Sequence, residues 1–446
     1  MFIDFLMERM SKNNNENAII WKDQTFKYQW LLDKYNFWRK ELEANDIKKS
    51  SVVVVEADFS PSSVSLLLAL ISHNCIFVPM TKSVYSKRKE FIKISQGEIL
   101  ITINEQDFFE IKKLPHKSNH KIYNQLKELN HPGLVLFSSG STGESKASVH
   151  DLVGILEKFK IKRHSLRTVT FLLYDHIGGF NTLLYILSNC GQIITLQDRN
   201  PDSVLKNIEK YQVELLPTSP TFINLILLSE SYKNYDLSSL KIVTYGTEPM
   251  PETTLKRFNK LFPEIKLLQT YGLSEVGILR SKSKRSDSLW VKVGGEGFDT
   301  RIVDGLLEIK AKSAMMGYLN APSPFTSDGW FKTGDAVEQE GDYIKILGRK
   351  SEIINVGGEK VYPQEVENVL LQDPNIAEAL VYSEKNQIIG NIVCANIRLI
   401  KKEDKKLFSR RIKGYCKKKL DNFKVPVKIN ISETEQYNNR FKKSRL

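Results

Sequence analysis

Cysteine is scarce in this chain of 446 residues. The four cysteines form no CxxC pair and are widely scattered, at Cys75, Cys190, Cys394 and Cys416. This spacing excludes a disulfide framework and a cysteine-based zinc site. Among the histidines, only His116 and His120 have helical spacing, and they lie in a polar stretch after a proline. The sequence therefore predicts reduced, structural cysteines and no zinc chemistry.

Long apolar runs are also missing. The best candidate, residues 64–71, is interrupted by Ser65 and is far shorter than the ~20 residues that a membrane helix needs. Asp4 and Glu8 stand where a signal peptide requires a basic start and a continuous apolar core. We therefore expect a cytoplasmic protein without a membrane span.

Positive charge is in excess, with 65 Lys and Arg against 52 Asp and Glu, a net charge of +13. This balance favours polyanionic ligands in general, among them nucleic acids, anionic membranes and phosphorylated cofactors. A lysine-rich solvated surface explains the same charge. No zinc finger, helix-turn-helix or aromatic RNA-binding signature accompanies it, so we expect no nucleic-acid partner.

Strand-like and helical patterns alternate through most of the chain. Residues 51–57, 98–103, 133–139 and 168–174 are typical of strands, whereas residues 179–189 are amphipathic. Such alternation predicts α/β layering around parallel strands. The fold class is therefore α/β, with doubly wound sheets in a large N-terminal domain.

The sequence pattern changes twice towards the C-terminus. From about Trp290, short strands broken by glycine predict a small β-rich subdomain at about 290–349. After Arg349 the pattern alternates strand, turn and helix on its own. We therefore predict an N-terminal domain over residues 1–349, a small mobile α+β domain over residues 350–446, and a hinge at Lys350 and Ser351.

A loop rich in small residues follows an apolar run in "LVLFSSGSTGESK", residues 134–146. Small residues let backbone N–H groups converge on an anion, hydroxyl groups add donors, and Lys146 adds a positive charge. The loop is not a Walker-type P-loop, because Ser145 stands where that motif has its second glycine. The pattern predicts a phosphate cradle, and a flexible surface turn is the alternative.

Three further motifs follow in order: "LLQTYGLSEVG" at 267–277, "WFKTGDAVEQEGDYIKILGRKSEIINVGGEKVYPQEVE" at 330–367, and "RFKKSR" at 440–445. Together with the loop they resemble the motif series of the adenylate-forming superfamily, which includes acyl-CoA synthetases, peptide-synthetase adenylation domains and firefly luciferase. The resemblance runs from about residue 50 to the C-terminus. It implies that a carboxylate attacks the α-phosphate of ATP, giving acyl-AMP and pyrophosphate, with thiol capture of the acyl group in most members.

The resemblance also assigns the nucleotide site. Ser274 would contact the α-phosphate, and Glu275 would ligate Mg²⁺, which prefers oxygen ligands. The β- and γ-phosphates would lie on the loop residues Ser139, Gly140, Ser141, Thr142, Gly143 and Lys146. Adenine and ribose would be held by Gly246, Thr247, Glu248, Tyr271, Gly272, Asp335 and Arg349.

Lys442 is the candidate for the lysine that bridges the acyl carboxylate and the α-phosphate. The sequence "FKKSR" overlays the superfamily's Gly-Lys-x-x-Arg with Lys442 at the lysine, although Phe441 stands at the glycine. Lys443 is therefore a rival. The implied catalytic set is Lys442, Glu275, Ser274 and Lys146.

Residues 172–191 resemble the acyl-pocket segment of acyl-CoA synthetases, with His176 and Gly179 matching their "HxxG". Asp175 lies beside them, and amino-acid adenylating relatives use an aspartate in this region to pair with the substrate ammonium. The resemblance further implies that Gly357 and Gly358 line a thiol tunnel after rotation of the C-terminal domain.

The sequence therefore predicts an AMP-forming acid–thiol ligase that uses ATP and Mg²⁺ on a small carboxylic acid, fatty or aryl, with CoA as acceptor. One alternative is loading of an acyl or amino acid onto the phosphopantetheine of a separate carrier protein. A second alternative, of another class, is a catalytically inactive nucleotide-binding module. Phe441, at the superfamily's glycine position, is consistent with this alternative.

Overall fold

Two seven-stranded sheets, a six-stranded sheet and a five-stranded sheet form the framework of the protein. A computed structural model describes residues 2–139, 144–387, 390–438 and 440–443. Within these ranges, no helix has both the length and the apolar character needed to cross a membrane.

The helices of the described ranges are, in chain order, α1 Asp4–Lys12, α2 Tyr28–Ala44, α3 Pro61–Ser72, α4 Arg88–Ile94, α5 Lys121–Leu129, α6 Leu152–Leu156, α7 Ile177–Ser188, α8 Pro201–Tyr211, α9 Pro220–Ser229, α10 Glu252–Leu261, α11 Pro363–Leu370 and α12 Lys405–Lys417.

The strands are β1 Asn17–Trp21, β2 Gln24–Lys27, β3 Val52–Glu56, β4 Ile76–Met80, β5 Ile99–Ile103, β6 Phe109–Lys113, β7 Gly133–Ser139, β8 Ser145–Asp151, β9 Arg167–Val169, β10 Gln192–Ile194, β11 Leu215–Thr218, β12 Ile242–Tyr245, β13 Lys266–Gln269, β14 Gly272–Leu273, β15 Gly277–Ile278, β16 Ser281–Ser283, β17 Val291–Val293, β18 Phe298–Val303, β19 Leu306–Ala311, β20 Gly317–Tyr318, β21 Phe331–Glu340, β22 Tyr343–Arg349, β23 Ile354–Val356, β24 Glu359–Val361, β25 Ile376–Asn386, β26 Gly390–Leu399 and β27 Lys428–Ile431.

The first large sheet has the order β20-β8-β7-β4-β3-β5-β6, and its centre is parallel. Strand β3, in the parallel part of this sheet, has the sequence VVVVE, and all four valines are buried. Continuous apolar strands of this kind are typical of parallel sheets that are covered on both faces. The second large sheet, β13-β12-β11-β9-β10-β1-β2, is parallel except for β2 at its edge.

The largest core cluster lies between these two sheets and includes α3 and α7. Both helices are apolar around most of their circumference, as expected for helices without a solvent face. Ser60 and Ser63 form a capping box at the start of α3, and Pro61 occupies its first turn. The predicted α/β class with doubly wound sheets is confirmed.

The remaining sheets are mainly antiparallel. Strands β16, β17, β22, β21, β19 and β18 form the six-stranded sheet, over residues 281–349. Strands β23 to β27 form the five-stranded sheet, which packs with α11 and α12 around its own apolar core. The division of the chain at residues 349 and 350 lies between these two sheets and stays a prediction.

Candidate functional site

A cavity of about 350 Å³ lies where β12 and β13 end and faces the β21–β22 hairpin. Ligand sites in α/β proteins commonly lie at the carboxyl ends of parallel strands. The residues that line this nucleotide cavity include all seven of the predicted adenine and ribose set together with the candidate lysine: Gly246, Thr247, Glu248, Tyr271, Gly272, Asp335, Arg349 and Lys442. The structure thus brings together residues that are far apart in the sequence.

Two glycines of this cavity are required by close backbone approaches. A Cβ atom on Gly246 would lie 2.6 Å from Thr270 Oγ1 and 2.8 Å from Thr270 O. A Cβ atom on Gly272 would lie 2.7 Å from Gly277 O, across the β14–β15 pair. Such short distances leave no room for a side chain, so glycine at both positions allows the neighbouring backbone segments to lie close together.

Asp335 is held at the centre of the cavity wall by three groups. It lies opposite Arg349 in the β21–β22 register, with Oδ1 3.4 Å from Arg349 Nε. Tyr271 donates a 2.5 Å hydrogen bond from its hydroxyl group to Oδ2, and the Asp335 N–H donates to Thr333 Oγ1. Burial raises the pKa of Asp335, and Arg349 opposes that rise. The result is an oriented carboxyl group that can accept hydrogen bonds from hydroxyl groups.

Glu275 and Lys146 converge on a residue that sequence reasoning missed, Tyr318. The Tyr318 hydroxyl group donates to Glu275 Oε1 at 2.6 Å, and Lys146 Nζ lies 5.6 Å from the centre of the Tyr318 ring. Burial, followed by the Glu275 charge, raises the pKa of Tyr318, so its phenol stays protonated as a donor. Tyr318 reaches this place because β20 pairs with β8, and no motif in the sequence marks that pairing.

The predicted phosphate loop connects β7 to β8. Ser138 pairs with Lys146 and Ser139 with Ser145 at the base of the hairpin, and Lys87 Nζ donates to Ser145 Oγ at 2.9 Å. Ser274 and Glu275 occupy the turn between β14 and β15. The predicted phosphate residues Gly140, Ser141, Thr142 and Gly143 lie outside the described residues, so their role stays a prediction.

The two neighbouring lysines of the C-terminal motif point to different places. Lys442 lines the nucleotide cavity, with Nζ 3.2 Å from His176 Nε2. Burial, followed by repulsion from Arg440, lowers the pKa of Lys442 to about 8. Lys443 also lines this cavity, but its Nζ donates to Glu367 Oε2 at 2.7 Å and to Ala379 O at 3.1 Å. This geometry favours Lys442 over its rival.

Phe441 occupies the superfamily's glycine position with a left-handed backbone, φ +52°. Glycine adopts this conformation without cost, whereas other residues lose roughly 1–2 kcal/mol. Contacts of Phe441 offset this cost. The centre of its ring lies 5.3 Å from that of Phe171 and 5.2 Å from that of Phe222, and Ser219 Oγ donates to the Phe441 carbonyl oxygen at 2.7 Å. The substitution therefore retains the backbone path that brings Lys442 into the cavity.

His176 and Asp175 stand directly before α7. The Gly178 N–H donates to His176 Nδ1 at 3.2 Å, and burial keeps the pKa of His176 well below its usual value, so the ring is neutral. Asp175 Oδ2 accepts hydrogen bonds from Thr81 Oγ1 at 2.7 Å and from Arg440 Nη2 at 2.9 Å. The Asp175 contacts thus fasten the C-terminal motif to the N-terminal part. Arg440 was not among the predicted site residues.

A second, larger cavity of about 580 Å³ lies between α7 and the second sheet. We call it the acyl cavity because residues of the predicted acyl-pocket segment 172–191 line it, and it shares Gln269 and Thr270 with the nucleotide cavity. Gly178 and Leu172 line it, whereas the predicted residues Asp175, His176 and Gly179 are not among its lining residues. Gly179 instead allows close packing, because a Cβ atom there would lie 2.0 Å from Leu173 O.

The predicted hinge and tunnel residues lie in two turns. Lys350 and Ser351 form a short 3-10 turn directly after β22. Gly357 and Gly358 connect β23 to β24 with φ +60° and +96°, are exposed, and are not among the residues that line the two cavities. Rotation about this hinge and the thiol tunnel stay predictions.

Comparisons with known proteins agree with this architecture. A family model described as "AMP-binding enzyme" matches residues 6–304, and one described as "AMP-binding enzyme C-terminal domain" matches residues 365–440. The indoleacetate–CoA ligase of Aromatoleum aromaticum is 27% identical over 325 residues, 67% of this chain and 63% of that protein. The mitochondrial medium-chain acyl-CoA ligase of Mus musculus is 26% identical over 326 residues, 66% of this chain and 53% of that protein. The chain thus spans between about half and two thirds of the length of these curated relatives.

Solved structures show the same fold over nearly the whole chain. The crystal structure of an anthranilate CoA ligase with anthranoyl-AMP has a TM-score of 0.83 and 18% identity, covering 99% of this chain and 95% of that one. The o-succinylbenzoate CoA synthetase of Bacillus subtilis with its acyl-adenylate has a TM-score of 0.78 and 20% identity. The match covers 99% of this chain and 96% of that one.

Proposed function

Because the chain belongs to the AMP-binding enzyme family, we propose that it activates a carboxylic acid with ATP and transfers the acyl group to CoA. In the first step a carboxylate oxygen attacks the α-phosphorus and pyrophosphate leaves. In the second step the CoA thiolate attacks the acyl carbon and AMP leaves. The observation that carries this proposal is that Lys442, Asp335 and Tyr271 line one cavity, which shares Gln269 and Thr270 with the acyl cavity.

The residues of the nucleotide cavity supply orientation and charge. Negative charge accumulates around the α-phosphorus during attack, so a fixed cation beside it lowers the barrier. Lys442 is that cation in the proposal, because the 440–443 segment carries it into the cavity. Asp335 and Tyr271 would hold the ribose and adenine, and Lys146 would meet the outer phosphates.

The Glu275 carboxyl group suits a magnesium ion. Tyr318 fixes Oε1, and a carboxylate with an oriented oxygen is the kind of ligand that Mg²⁺ takes together with substrate phosphates. The ion would neutralise phosphate charge when ATP is bound.

CoA as the acceptor is supported by the curated relatives, which are named CoA ligases. The acid itself is fatty or aryl in those names, and the acyl cavity suits either, since Leu215, Ile242 and Leu268 contribute apolar walls.

The test is pyrophosphate release from ATP and Mg²⁺ across fatty, aryl, hydroxy and amino acids, each with and without CoA. We expect acid-dependent release that becomes multiple-turnover when CoA is added. Release that stops near one equivalent despite CoA would overturn CoA as acceptor and direct the search to a carrier protein. ATP binding by calorimetry without release from any acid would overturn acid activation and favour an inactive nucleotide-binding module.

A further inference from the structure

The acyl cavity has a basic lining. Of the described residues that line it, none is acidic and five are basic: Lys158, Arg163, His164, Arg280 and Lys282. Arg163, His164 and Lys282 are exposed, whereas Lys158 and Arg280 are partly buried and have no acidic residue beside them in the described lining. The charge therefore points to an anion in the ligand.

The length of α7 separates the two ends of the cavity. Gly178, Asn181, Thr182, Tyr185 and Asn189 line it, a helical face that extends roughly 16 Å at 1.5 Å per residue. Gly178 lies close to His176, the cap residue whose ring is beside Lys442. At the other end, the Arg163 N–H donates to Asn189 Oδ1. Arg163 thus lies at the end of this helical face opposite Gly178.

Lys158 and Arg280 are the two partly buried groups of this set. Lys158 Nζ donates to Ile278 O at 2.8 Å, and burial, followed by repulsion from Arg163 and Arg280, lowers its pKa to about 7. Arg280 Nε is buried and has no hydrogen-bond partner among the described residues. Its guanidinium group is 3.7 Å from Glu296, whose side chain is 76% exposed. A buried donor without an acceptor is unfavourable, and an anionic ligand would satisfy it.

We propose that the acid carries a second carboxylate, which Arg280 and Lys158 bind in the acyl cavity. The inference rests on the proposed function and names its substrate class, a dicarboxylic acid with an apolar body between its two carboxylates. The first carboxylate is activated beside Lys442. The body lies against Leu215, Ile242 and Leu268.

The test compares diacids with matched esters. Dicarboxylic acids from pimelate to dodecanedioate and their monomethyl esters are assayed for pyrophosphate release, because an ester removes the distal charge and keeps the chain. We expect the best diacid to exceed its ester about tenfold or more in kcat/KM, as a site built for a polar group rejects a ligand that lacks it. Equal kcat/KM for every acid and its ester would overturn the proposal.

Variants of Arg280 and Lys158 test whether these residues cause the preference for a diacid over its ester. Arg280→Gln and Lys158→Met should each lower the diacid-to-ester ratio about tenfold, and Arg280→Lys should lower it less. Lys266→Met is the matched control, since Lys266 is exposed at the start of β13 and does not line the cavity. Unfolding temperatures identify any variant that fails to fold. A ratio that none of the three cavity variants changes would overturn the assignment.

A binding measurement distinguishes failure of this inference from failure of the proposed function. Calorimetric titration of the full chain with a diacid and with its ester needs no turnover. If no acid releases pyrophosphate, the proposed function fails, whereas tighter binding of the diacid that Arg280→Gln abolishes still supports the anion site. Equal binding of diacid and ester overturns the inference and leaves acid activation to be judged by turnover with monoacids.

Discussion

At the residue scale, Lys442 and Lys443 are identical side chains with different surroundings. Lys442→Ala removes one of the cations that line the nucleotide cavity, and we expect acid-dependent pyrophosphate release to fall about 100-fold or more, the usual loss for one transition-state contact. Thiolysis of supplied acyl-AMP should remain largely intact. Stopped assays of both half-reactions measure this, and an unchanged adenylation rate would contradict the assignment.

The matched variant Lys443→Met should behave differently. It removes a hydrogen bond to the buried carboxyl group of Glu367. We expect the free energy of unfolding to drop by about 2 kcal/mol, since hydrogen bonds to charged groups contribute on that order. Calorimetric unfolding should show this loss, while adenylation at low temperature stays within a few-fold of the wild type. A loss of adenylation equal to that of Lys442→Ala, in a folded protein, would reinstate Lys443 as the catalytic candidate.

The lowered pKa of Lys442 predicts that adenylation depends on pH. Its pKa is lowered from 10.5 to about 8, and the proposed role requires the protonated form. The kcat/KM for ATP should therefore fall as pH rises through about 8, approaching a tenfold loss per unit, because this parameter reports the free enzyme. Lys442→Arg should lose the alkaline limb, since a guanidinium group stays charged. An alkaline limb that is identical in both proteins would assign it to another group.

At the scale of elements, the path of residues 440–443 places the cation. Phe441→Ala removes the ring contacts with Phe171 and Phe222 but keeps the strained φ of +52°. Phe441→Gly removes the same contacts and relieves the strain. We expect both to slow adenylation, with the glycine variant about fivefold faster than the alanine variant, since glycine is favoured by roughly 1 kcal/mol at such a position. Equal rates would show that backbone strain does not affect docking of this segment.

The start of α7 offers a second pair of variants. In Gly179→Ala the new Cβ atom would meet the backbone oxygen of Leu173 at 2.0 Å, whereas in Gly178→Ala it would meet the flexible Leu172 Cδ1 at 3.1 Å. We expect Gly179→Ala to destabilise the protein by about 3 kcal/mol and Gly178→Ala by less than about 1 kcal/mol. Chemical denaturation measures both.

Gly178→Ala has a further expected effect, because Gly178 lines the acyl cavity. The added methyl group should shift the preference towards slimmer acids, seen as a lower kcat/KM for the bulkiest accepted acid. An unchanged order of acids would contradict the place of Gly178 in the acyl site.

At the scale of the whole molecule, the sequence predicted the buried strands well. The runs at 51–57, 98–103 and 133–139 became β3, β5 and β7, because continuous β-branched and apolar residues suit a covered parallel sheet. The run at 168–174 is a strand only over Arg167–Val169. Beyond it, Phe171, Leu172 and Leu173 leave the sheet and line the small pocket beside His176. Apolar character alone does not distinguish a strand from a buried loop.

The sequence predicted those site residues that lie in recognisable motifs and have a role assigned there, and it did not predict the others. Asp335, Tyr271 and Lys442 could be named because the motif series gives their order. Tyr318 lies in no quoted motif, and its position follows from the pairing of β20 with β8. Arg440 begins the C-terminal motif, but only the structure shows its contact with Asp175. The basic lining of the acyl cavity combines residues 158–164 with 280–282, a juxtaposition that only the tertiary structure shows.

The central claim is that the carboxyl group of the acid attacks the α-phosphorus of ATP. The most direct measurement uses an accepted acid labelled with ¹⁸O in its carboxyl group, with CoA present, and determines the nucleotide products by mass spectrometry. The account predicts AMP that carries one ¹⁸O atom, because the bridging oxygen stays on phosphorus when the thiolate attacks the acyl carbon. Unlabelled AMP, or ADP as the nucleotide product, would contradict it.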